Sequence, residues 1–62
     1  MTTAKEIGTQ IGNAIARDVL ADDMPRTWTG LDAQDGDQIP EGMDRDEVER
    51  HAKAAYLSRI AS

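Results

Sequence analysis

Three carboxylates flank a glycine in the middle of the chain, at Asp32-Ala33-Gln34-Asp35-Gly36-Asp37, and raise the chemistry of a calcium loop. The register does not support it. If Gly36 takes the glycine position of an EF-hand loop, Leu31 and Gly42 fall on the first and last positions, which must supply carboxylates. Starting at Asp32 instead places Gln34 and Gly36 where the next ligands belong. The acids read as loop residues that hold water and form Asx turns. Neither a metal ion nor another cofactor is expected.

His51 is the only histidine, and nucleophilic catalysis would need it beside a hydroxyl and an orienting acid. The hydroxyls nearest in sequence, Tyr56 and Ser58, lie on a different part of the same helical pattern. Helical spacing sets His51 beside Glu47 and Ala55, at the margin of an apolar stripe, where a histidine is ordinarily structural. Paired carboxylates are plentiful, but acid/base work needs one of them in an apolar pocket. A chain of 62 residues has little interior from which to build one. Gly8 and Gly12 fall within a helical pattern and not in a strand-to-helix turn, so no phosphate cradle is evident. No enzyme is expected.

What the charged residues can do is act together. From Asp18 to Glu49 the chain carries eleven acids against Arg26 and Arg45, a local charge of −9. The first seventeen residues carry +1 and the last thirteen +3, for a net charge of −5. Such a field steers cationic partners and repels nucleic acid and anionic membranes. Nucleic-acid binding needs clustered Lys and Arg, and the three C-terminal cations Arg50, Lys53 and Arg59 are too few to supply it. No run approaches the length of a membrane span. The N-terminal stretch, with Lys5, Glu6, Gly8 and Gln10, lacks the apolar centre of a signal peptide. The expectation is a cytoplasmic protein that meets a basic protein surface, with no membrane and no direct nucleic-acid contact.

Two helical patterns frame these acids. Thr3-Ala4-Lys5-Glu6 has the form of a capping box, and Ala4, Ile7, Ile11, Ala14, Ile15 and Val19 share one helical face. A helix over about 4–21 is predicted, ended by Met24-Pro25. Beside the isoleucines, Gly8, Gly12 and Ala16 recur at intervals of four as a ridge of small residues. The ridge suits close approach of another helix, either within the fold or in a homodimer. Asp44-Arg45-Asp46-Glu47 repeats the capping pattern, with acids at the positive end of the helix dipole. A second helix over about 45–61 follows, with Val48, Ala52, Ala55, Tyr56 and Ile60 on one face. Residues 22–44 between them form a structured acidic loop, with one helical turn expected at Leu31 to Gln34 and anchors at Trp28, Leu31, Ile39 and Met43.

The chain is therefore expected to be a single all-α domain over 1–62, a helical hairpin of two amphipathic helices joined by a long acidic loop. Without cysteine it has no disulfide to compensate for a core of about fourteen large apolar residues. Efficient helix packing, self-association or folding against a partner must supply the difference. Trp28 is expected chiefly to cap the small core. Together with Leu31, Asp32, Asp35, Asp37 and Glu41 it also makes up the candidate partner-binding surface, since aromatic anchors dominate interface energetics.

The run Trp28-Thr29-Gly30-Leu31-Asp32, continued by Gln34-Asp35-Gly36-Asp37-Gln38-Ile39-Pro40, resembles short acidic proteins of bacteriophage and mobile elements. The Ala-Ala-Tyr-Leu sequence ending at Leu57 is similar to them too. The resemblance implies a small protein that modulates a host machine, the class that contains anti-CRISPRs and host-takeover inhibitors. It covers about a third of the chain and carries no catalytic motif. Two functions are set against each other: an inhibitor that presents its acids to a basic, nucleic-acid-binding surface, and an assembly module that oligomerises through Gly8, Gly12 and Ala16 with its acids as a solvated rim. Fixed carboxylates distinguish the first from the second.

Overall fold

The computed structural model describes residues 2–61, and among them the fold is all-helical. It consists of α1 (Ala4–Ala21), α2 (Ala33–Gly36) and α3 (Arg45–Ala61). Both long helices begin where their caps predict. The Thr3 hydroxyl accepts from the Glu6 amide at 3.2 Å, which forms the forward half of the expected box. Among the described residues the return bond from the Glu6 side chain is absent. At α3, Asp44 Oδ1 accepts from the Asp46 amide at 2.9 Å, one residue short of the usual box position.

α1 ends earlier than Pro25 requires. Asp23 adopts a left-handed conformation, φ 53°, and the Met24 amide donates back to the Val19 carbonyl at 3.0 Å. This is a Schellman turn with aspartate where glycine is usual. The short helix α2 lies two residues beyond its expected position. Asp32 serves as its cap and so stands outside the turn, which Ala33 must then begin.

The small-residue ridge, more than the isoleucine stripe, is where the helices meet. Gly8, Gly12 and Ala16 are all buried. A Cβ at Gly8 would stand 2.5 Å from the Val48 carbonyl oxygen and 2.6 Å from the His51 Cβ. One at Gly12 would stand 2.9 Å from the Ala52 carbonyl carbon. Of the two uses open to the ridge, the fold takes the internal one: it is spent on α3.

The all-α expectation of two long helices and a long connection holds. These pairings, however, fix a sense of packing other than the antiparallel one that a hairpin implies. Gly8 meets Val48, Gly12 meets Ala52, and Ala16 packs with Tyr56, so α1 and α3 run parallel. A connection of a few residues would force neighbouring helices antiparallel. Here the chain leaves the far end of α1, about 27 Å from its start, and must return that distance before α3 begins. Residues 22–44 make the return journey. Their length has a topological cause before any functional one.

The connection is held down by its apolar anchors. Ile11, Val48 and Ala52 form one buried cluster, against which Trp28, Leu31, Ile39 and Met43 pack. Ala16, Val19 and Tyr56 form a second, and Ile15 and Trp28 touch both. Gly30 and Gly42 take positive φ angles, 95° and 89°, where the path turns. No helix among the described residues is long and apolar enough to cross a membrane.

Candidate functional site

Tyr56 sets where the connection lies. Its side chain is fully buried, its hydroxyl donates to the Thr27 carbonyl at 3.1 Å, and its ring meets Trp28 with centroids 5.4 Å apart and planes at 53°. Trp28 is half-buried there, joining the two core clusters, which is the core role expected of it. Leu31 is likewise half-buried against the first cluster. Both keep part of their surface exposed beside these contacts.

With Trp28 fixed, the following residues carry α2 past the last turns of α1. Asp32 Oδ1 accepts from the Asp35 amide at 2.8 Å, and Asp35 Oδ2 accepts from the Asp32 amide at 3.4 Å. The two carboxylates are thus held by reciprocal caps on one short helix. Between this segment and α1 lies an open cleft of about 580 Å³. Asp18 and Asp22 line it from α1, and Asp32 and Asp35 from α2 and its cap. Ile15, Val19, Met24 and Pro25 supply its apolar walls.

The electrostatics of this arrangement are unfavourable at Asp35. Burial pushes the Asp35 carboxyl above its ordinary range, and the negative charges of Asp32 and Asp18 push it further. The hydrogen bond with the Asp32 backbone works in the opposite direction without prevailing. Asp18 also sits in the last turn of α1, which contains no basic residue, and Asp22 forms its C-cap. Both stand at the negative end of the helix dipole, where acids are disfavoured by a few tenths of a kcal/mol to about 1 kcal/mol each. Arg17 lies 3.9 Å from Asp18, but both side chains are largely exposed and such a pair contributes little.

The expected partner-binding acids therefore divide. Asp32 and Asp35 line the cleft, whereas Asp37 and Glu41 are exposed and do not. Among the described residues no ion pair involves any of the four. Arg45, which follows the acids in sequence, folds back along α2, its guanidinium 3.6–3.9 Å from where a Gly36 Cβ would stand. It brings one positive charge to the acidic segment's far end. Asp18 and Asp22 were not among the expected site residues. Their spacing of one helical turn, beside Ile15, was the available signal, but only the return path of the connection brings them opposite Asp32 and Asp35.

Among the described residues no three His, Asp or Glu side chains come together as a metal-ligand set. His51 is half-buried beside Gly8, at the margin expected for it. The cleft offers separated negative charges over an apolar wall. That combination accommodates an ammonium or guanidinium group together with its aliphatic stem. Comparisons of the chain with protein-family models, curated proteins and solved structures give no match.

Proposed function

We propose that the chain is a non-enzymatic interaction module that occupies a basic, nucleic-acid-binding surface of a partner protein and so inhibits or modulates that partner. The observation that carries this reading is the convergence of Asp18, Asp22, Asp32 and Asp35 on one cleft, in which burial and the charges of Asp32 and Asp18 raise the Asp35 carboxyl above its ordinary range. The reciprocal caps at Asp32 and Asp35 add the rigidity that charge mimicry requires. The resemblance of Trp28–Pro40 to bacteriophage-type proteins makes a host nucleic-acid-binding machine the target class, with anti-CRISPR activity as one form of it.

The assembly alternative loses its specific support, because Gly8, Gly12 and Ala16 are buried against α3. A tagged chain used as bait in bacterial lysate tests the proposal. Proteins it retains should elute at raised salt and be displaced by duplex DNA or heparin, since both compete for the same cations. Retention that withstands both salt and polyanion would contradict it.

A further inference from the structure

We draw no further inference here: the strongest candidate, the acid-lined cleft between the last turns of α1 and the α2 segment, belongs to the site already described, and no second observation accompanies its carboxylates to identify another ligand.

Discussion

Adding a single methyl group at Gly12 should destabilise this protein, although alanine is the better helix former. The methyl carbon would stand 2.9 Å from the Ala52 carbonyl carbon and 3.0 Å from its Cα. Carbon atoms in comfortable contact lie about 3.5–4.0 Å apart, so α1 and α3 must separate by roughly 0.5–1 Å. The obstruction is backbone, which no rotamer change can clear. Overpacking costs about 1–3 kcal/mol, and an obstruction made of backbone alone belongs to the upper part of that range, about 2–3 kcal/mol. Helix propensity returns about 1 kcal/mol. The net loss should be about 1–2 kcal/mol, from a total of roughly 3–9 kcal/mol at this length. For a domain of this size that lowers Tm by roughly 5–15 °C. Thermal melts followed by far-UV circular dichroism measure it, with Ala54→Leu on the exposed side of α3 as the control that should leave Tm nearly unchanged. A Gly12→Ala variant that melts at or above the wild-type temperature would refute close packing along the ridge.

Two further substitutions test how the connection is held and charged. Tyr56→Phe removes the hydroxyl that reaches the Thr27 carbonyl and should cost about 0.5–1.5 kcal/mol, seen as a lower Tm with Trp28 fluorescence shifted toward that of an exposed indole. An unchanged Tm and spectrum would mean that ring packing alone places the connection. Asp35→Asn should raise Tm at neutral pH, because the wild-type carboxylate must ionise against burial and the charges of Asp32 and Asp18. A carboxyl whose pKa is raised by folding contributes stability fully below its ordinary value of 3.8 and loses that contribution as pH rises through the folded value. The variant's advantage should therefore vanish on acidification below that range, and an advantage that persists there would contradict the assignment.

The two long helices were legible because local signals set both of their limits. Thr3 and Asp44 open them, and the apolar period runs to Val19 in one and Ile60 in the other. Gly8, Gly12 and Ala16 were legible as a contact surface for the same reason, since their spacing is local. The parallel sense was not legible. Twenty-three connecting residues can close either arrangement, and only the pairing of Gly12 with Ala52 and of Ala16 with Tyr56 decides between them. The cleft was half legible: Asp32 and Asp35 announce themselves as neighbours in sequence, whereas Asp18 and Asp22 join them through tertiary structure alone. Arg45 shows the same limit, because its approach to Gly36 depends on where α3 begins relative to α2.

The central claim is that the cleft receives a cationic group of the partner, and two variants of equal charge change test it most directly. Asp18→Asn/Asp22→Asn alters the cleft and leaves the α2 caps intact, while Asp37→Asn/Glu41→Gln removes the same charge from outside it. Binding kinetics with the partner captured from lysate should be recorded at low and high salt. Both variants should associate more slowly at low salt, because steering follows the overall field. The cleft variant alone should also dissociate faster, weakening affinity by roughly 5–30-fold if its two charge pairs contribute about 0.5–1 kcal/mol each. Equal dissociation rates in the two variants would place the contact outside the cleft, and binding in both that matches wild type at every salt concentration would contradict the account.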